Sequence, residues 1–96
     1  MAQDQLIQAL NRQLDTRFQE DITTVELHEE MVAFINNLII HDFEKLVALL
    51  YKIDIDEDRL KSILKASAGQ DSAVIIAELI VEREKQKVET RNSFKN

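Results

Sequence analysis

The chain of 96 residues contains no proline and a single glycine. Proteins built from sheets use many proline and glycine residues in the turns between their strands. Helices, in contrast, can run for many residues without either of them. The sequence therefore predicts an all-α protein, and its length suits one domain with one shared core.

Apolar residues recur at helical spacing in five parts of the chain. They predict helices at about 3–18, 24–40, 42–51, 57–68 and from 72 onward. Because the connections are short, we expect a single-domain bundle of four to five helices over residues 1–96. Residues 72–81, "SAVIIAELIV", are apolar on nearly all sides and predict the centre of the bundle.

Side chains that can cap a helix precede most of these stretches. Thr23 and Glu26 have the spacing of a capping box, in which each side chain binds an otherwise unpaired backbone amide. Gly69 suits the left-handed position after the fourth helix. The other predicted N-caps are carboxylates: Asp42, either Asp54 or Asp56, and Asp71.

Charge is unevenly distributed along the chain, whose net charge is −6. Residues 1–82 contain seven Lys or Arg and sixteen Asp or Glu, whereas residues 83–96 are mainly basic. The basic end predicts a polar helical or frayed extension of the same domain. An acidic body disfavours phosphate binding, and no apolar run approaches the length of a membrane span. We therefore predict no nucleic-acid partner and no membrane partner.

The stretch "KIDIDEDRL" places Asp54, Asp56 and Asp58 at alternate positions, as in the calcium loop of an EF-hand. That loop needs glycine at its sixth position and glutamate at its twelfth. Counting from Asp54, these positions hold Arg59 and Lys65. Lysine cannot bind calcium, so we interpret the aspartates as helix-capping residues.

"HEEMV", residues 28–32, resembles the zinc-protease motif, but Val32 stands where the second histidine is required. The chain has no cysteine, which excludes disulfides and thiolate ligands and is typical of a reducing compartment. There is also no glycine-rich phosphate loop. We predict no metal, no cofactor and a cytoplasmic, bacterial-type protein.

His41 and Asp42 lie at the junction of the second and third predicted helices, where apolar segments flank them on both sides. In the structural interpretation, Asp42 caps the third helix and His41 binds a terminal carbonyl of the second. The alternative is a small-ligand or catalytic site formed by His41, Asp42 and Tyr51. A catalytic histidine needs a nucleophile or metal partner, and none is evident, so we predict no enzymatic activity.

The stretch "INNLIIHDFEKLVALLYKIDIDEDRLKSIL", residues 35–64, resembles the centre of a family of small, uncharacterised, helical bacterial proteins. The resemblance covers about a third of the chain. It implies no activity and no catalytic residues. It makes His41, Asp42 and Tyr51 the first positions to inspect.

Function is predicted to depend on protein–protein contacts. A narrow apolar stripe on the first helix could pack against a second chain, so we expect a homodimer. A third hypothesis is nucleic-acid binding by a helix-turn-helix formed by the third and fourth helices. We rank it below the interaction and small-ligand hypotheses, because acidic residues occupy the start of the fourth helix, which would be the recognition helix. The residues of the predicted self-association stripe are Leu6, Leu10, Leu14 and Phe18.

Overall fold

The computed structural model describes residues 2–66 and 71–94. These residues form five helices and no strand, which confirms the predicted all-α, single-domain bundle. The predicted role of Gly69 lies outside the described residues. The helices are α1 (Ala2–Leu14), α2 (Thr24–His41), α3 (Phe43–Ile53), α4 (Glu57–Ala66) and α5 (Ser72–Phe94).

The predicted capping box is present at the start of α2. The Glu26 amide donates to Thr23 Oγ1 at 3.1 Å. In return, Glu26 Oε1 accepts from Thr23 Oγ1 at 2.8 Å and from the Thr23 amide at 3.2 Å. The hydrogen bond from the Thr23 hydroxyl, followed by the one from its amide, lowers the pKa of the Glu26 carboxyl.

Three aspartates cap the later helices as predicted. Asp42 accepts from the backbone amide three residues later at 3.2 Å, which starts α3. Asp56 and Asp71 each accept from the amide two residues later at 2.9 Å, at the starts of α4 and α5. Asp54 has a different position: it ends α3 in the left-handed conformation, with φ of 67°. Its carboxylate lies 3.3 Å from the Arg83 guanidinium.

The first helix is shorter than predicted, since α1 ends at Leu14 rather than near residue 18. Asp15 adopts a left-handed conformation with φ of 57°, and the Thr16 amide donates to the Asn11 carbonyl at 3.2 Å. This is the Schellman arrangement that closes many helices. Beyond it, the Asn11 side chain binds both backbone polar groups of Phe18, which turns the chain back over the bundle.

The predicted self-association stripe belongs to the core of its own chain. Leu6, Leu10 and Leu14 are at most 7% exposed and pack with residues of the other helices. Phe18 is partly buried against the same core. The prediction that this stripe meets a second chain is therefore wrong for this fold, because α1 packs on α5 and α3 of the same molecule.

The fifth helix occupies the centre of the bundle, as its apolar sequence predicts, and contacts each of the other four helices. Its 23 residues span about 34 Å, most of the 42 Å long dimension of the molecule. The polar end of α5 also packs against α1: Val88 is buried, and Asn92 Nδ2 donates to Gln5 Oε1 at 2.8 Å. Up to Asn92, this end is therefore part of the bundle.

Candidate functional site

His41 and Asp42 are both exposed, so the expected apolar surroundings of this pair are not found. Asp42 joins the two helices: its amide donates to the Leu38 carbonyl at 2.9 Å, and its side chain caps α3. His41 is the last residue of α2. Within the described ranges, the His41 side chain makes no hydrogen bond or ion pair with a helix-terminal carbonyl or carboxylate. His41 and Asp42 therefore form the junction between α2 and α3, and of their two predicted roles only the capping of α3 by Asp42 is confirmed.

Tyr51 lies far from this junction. It follows Asp42 by nine residues along the unbroken helix α3, which separates the two positions by about 13 Å along the helix axis. The Tyr51 side chain is 88% exposed. The predicted three-residue site of His41, Asp42 and Tyr51 is therefore wrong, because a rigid helix holds its members apart.

Tyr51 belongs instead to an apolar surface that we call the α3 face, formed by Phe43, Val47 and Tyr51. These residues are spaced four apart and therefore lie on one side of the helix. Phe43 is 58% exposed and Val47 is 51% exposed. Large apolar side chains at successive turns are left open to solvent while the opposite side of α3 is buried in the core.

A groove of about 270 Å³ runs between the α3 face and α4. Glu57 and Lys61 line its α4 side and pair with each other at 3.2 Å. The groove therefore combines apolar side chains with one ion pair, in which the charges of Glu57 and Lys61 neutralise each other. Its apolar lining is Phe43, Val47, Leu50, Tyr51, Ile55 and Leu60.

The α3–α4 part of the chain differs in charge from the part that precedes it. Residues 43–65 contain five acidic and five basic side chains. Residues 1–42, in contrast, contain eight acidic and two basic side chains. The α3 face is thus set in an electrostatically balanced part of a protein whose acidic excess lies in residues 1–42.

A second groove, of about 590 Å³, lies between the first turns of α2 and the middle of α5. We call it the α2–α5 groove. It lies on different helices from the α3 face, and acidic side chains stand at its edge. Its lining includes the apolar residues Leu27, Ile75, Leu79 and Val81, together with the glutamates Glu78 and Glu82.

Glu84 is a buried carboxylate that the sequence does not single out. Its side chain is on α5 between buried Ile80 and Val88, and the residue is only 1% exposed. Its Oε2 atom lies 3.3 Å from Lys87 Nζ, close enough for an ion pair but not oriented for a hydrogen bond. The carboxylate of this pair is buried in the bundle, whereas the Lys87 side chain is partly exposed to solvent.

Two further observations hold for residues 2–66 and 71–94. No three His, Asp or Glu side chains come together there in a way that could hold a metal ion. Nor does any helix in these ranges combine the length and the apolar character needed to cross a membrane.

Comparison with known proteins adds no relative. No protein-family model, no curated protein and no solved structure matches the chain significantly. The resemblance of residues 35–64 to a bacterial family therefore stays a prediction.

Proposed function

We propose that the protein is an interaction module that forms a homodimer through the α3 face. The observation that supports this proposal is the exposure of Phe43, Val47 and Tyr51 on one side of a single helix. Contiguous apolar patches on small proteins are frequently binding sites, since solvent contact with such side chains is unfavourable.

The size of the patch is consistent with the centre of an interface. Aromatic side chains bury about 150–250 Å² each, so the exposed parts of Phe43, Val47 and Tyr51 amount to roughly 350–400 Å². A stable interface buries about 800 Å² on each partner, of which roughly two thirds is apolar in homodimers. Partly buried Ile55 and Leu60 line the neighbouring groove and would contribute to the remainder.

The order of side chains along α3 suits contact with a second copy. Val47 lies midway between the two aromatic residues. If a twofold axis passes near Val47 and the two α3 helices are antiparallel, Phe43 of each chain meets Tyr51 of the partner subunit. Such pairs add favourable aromatic contacts to the burial of apolar area.

Charge also favours self-association at this surface over self-association through α2. Two copies that met through α2 would bring strongly acidic segments together, and like charges oppose association. Residues 43–65 carry equal numbers of acidic and basic side chains, so the α3 face avoids this repulsion. We therefore expect the dimer to persist at both low and high salt.

The proposal describes binding without a catalytic step. Asp42 caps α3, and Tyr51 lies on the proposed interface, so each has a role that needs no reaction. The cytoplasmic location is part of the proposal and is supported by the cysteine-free composition.

Sedimentation equilibrium of Val47→Glu and Val25→Glu tests this proposal. Val25 is 67% exposed on α2, so the same substitution there is a matched control outside the α3 face. We expect the wild-type protein and Val25→Glu to have twice the 11.1 kDa mass of one chain at micromolar concentration. Val47→Glu should be a monomer, because each dimer would bury two carboxylates near its twofold axis.

Circular dichroism at 222 nm should show that both variants remain helical, since both positions are exposed. A wild-type mass of 11.1 kDa at the highest concentrations used would contradict the proposed dimer. If both variants dissociated equally, the α3 face would not be the interface.

A further inference from the structure

The α2–α5 groove is lined by apolar side chains along α5 and has acidic side chains at its edge. Ile75 and Leu79 are one turn apart on α5 and only partly buried. Leu27 of α2 closes the groove between the helices. The eight residues from Ile75 to Glu82 cover about 10 Å of α5, which matches two turns of a bound helix.

Two exposed carboxylates stand one turn apart beside this floor. Glu78 and Glu82 are four residues apart on α5, and both line the groove. In the described part of the chain, neither carboxylate has a hydrogen-bond or ion-pair partner. They are therefore available to cationic side chains of a ligand, whereas the comparable pair beside the α3 face already contains its own lysine.

Two cations of the protein's own basic segment are engaged elsewhere. Arg83 pairs with Asp54 at 3.3 Å, and Lys87 pairs with Glu84 at 3.3 Å. Val88, which follows them, is buried in the bundle. Exposed Lys85 lies three residues after Glu82 but forms no ion pair with it among the described residues, so both groove carboxylates remain open to cations of a different molecule.

We infer that the α2–α5 groove binds a basic amphipathic helix of another protein. The apolar side of that helix covers Ile75 and Leu79, which lie above buried Leu27, and its Lys or Arg residues pair with Glu78 and Glu82. Binding of this kind uses an apolar stripe at helical spacing as the anchor and charges at the edges for orientation. The inference does not depend on the proposed homodimer, because it concerns other helices.

Titration of the full-length protein with two synthetic helical peptides tests the inference. Both peptides carry leucines at helical spacing, and they differ only in having lysine or glutamate on the flanking positions. Fluorescence anisotropy measures affinity, and amide chemical shifts locate the bound peptide. We expect the lysine peptide to bind and to shift Leu27, Ile75 and Leu79, while the glutamate peptide does not bind.

A double substitution separates charge recognition from general apolar attraction. Glu78→Gln with Glu82→Gln should weaken binding of the lysine peptide by roughly three- to tenfold, as expected for two exposed ion pairs. Glu44→Gln with Glu89→Gln changes two exposed glutamates outside the groove and should leave the affinity unchanged. Raising sodium chloride to about 0.5 M should weaken wild-type binding to a similar degree.

Three results would overturn the inference. They are equal binding of the two peptides, chemical-shift changes centred on Phe43, Val47 and Tyr51, and no binding of the lysine peptide at millimolar concentration. Sedimentation of the peptide-free protein reports separately on the homodimer. Failure of one proposal can therefore be distinguished from failure of the other.

Discussion

Replacing Asn11 by alanine should lower the free energy of unfolding by about 2.5 kcal/mol. The Asn11 side chain accepts from the Phe18 amide at 2.8 Å and from Thr16 Oγ1 at 2.9 Å, and it donates to the Phe18 carbonyl at 3.0 Å. Each such bond contributes about 1 kcal/mol net, or about 3 kcal/mol for all three. Alanine recovers roughly 0.5 kcal/mol, because it is a better helix former than asparagine.

Urea denaturation followed by circular dichroism measures this change, and thermal unfolding checks it. For a domain of this size, about 2.5 kcal/mol corresponds to a melting temperature roughly 10–20 °C lower. Asn11→Asp keeps both acceptor contacts but cannot donate to the Phe18 carbonyl. Its stability should therefore lie between those of the alanine variant and the wild type.

Gln8→Ala is the matched control for Asn11→Ala. Gln8 is also an amide side chain on α1 that bonds to the α1–α2 connection, where its Nε2 donates to Glu20 Oε1 at 3.0 Å. That bond is exposed, so its loss should change stability by less than about 0.5 kcal/mol. If Asn11→Ala were no more destabilising than Gln8→Ala, the three Asn11 bonds would not hold the connection, and packing of Phe18 would be the better explanation.

The two members of the Glu84–Lys87 pair on α5 should respond differently to substitution. Lys87→Met leaves a buried carboxylate without its cation and should destabilise the fold by roughly 2–4 kcal/mol at neutral pH. Glu84→Leu should be nearly neutral or stabilising. Urea unfolding of both variants decides this, and a larger loss for Glu84→Leu than for Lys87→Met would contradict the reasoning. Glu26 should make the stability of the fold depend on pH in the acid range, because the pKa of its carboxyl is lower in the folded than in the unfolded protein. The stabilisation by the Glu26 carboxylate is present above the unfolded pKa of about 4.3 and is lost as the pH falls through the folded pKa. Between pH 5 and pH 3, the urea midpoint of wild type should therefore fall further than that of Glu26→Gln, and parallel curves would show that the capping box does not titrate as described.

The helix starts could be predicted from the sequence because their causes are local. Thr23, Asp42 and Asp71 each bind amides within three residues, so the chain near them carries the whole interaction. The central position of α5 was equally predictable, since a segment that is apolar on nearly all sides must be surrounded by other helices.

The grouping of residues into a candidate site could not be predicted from the sequence in the same way. His41, Asp42 and Tyr51 attracted attention as polar residues near apolar segments, but their separation depends on α3 continuing unbroken between Asp42 and Tyr51. The stripe of Leu6, Leu10 and Leu14 predicts an apolar contact surface, but the contact is made within the chain and not with a second chain. An apolar stripe has the same pattern whether it meets its own bundle or a second molecule.

The sequence by itself determined an all-α bundle of four to five helices, the caps at Thr23, Asp42 and Asp71, and the central position of α5. These features are predictable because periodicity and capping act over a few neighbouring residues. Only the tertiary structure decided which side of α3 remains open to solvent and that Glu84 is buried. Helix α3 carries apolar residues on more than one side, so its own pattern cannot identify the side that the bundle covers. Burial is a property of the neighbours that pack on a residue, and those neighbours come from helices distant in the chain.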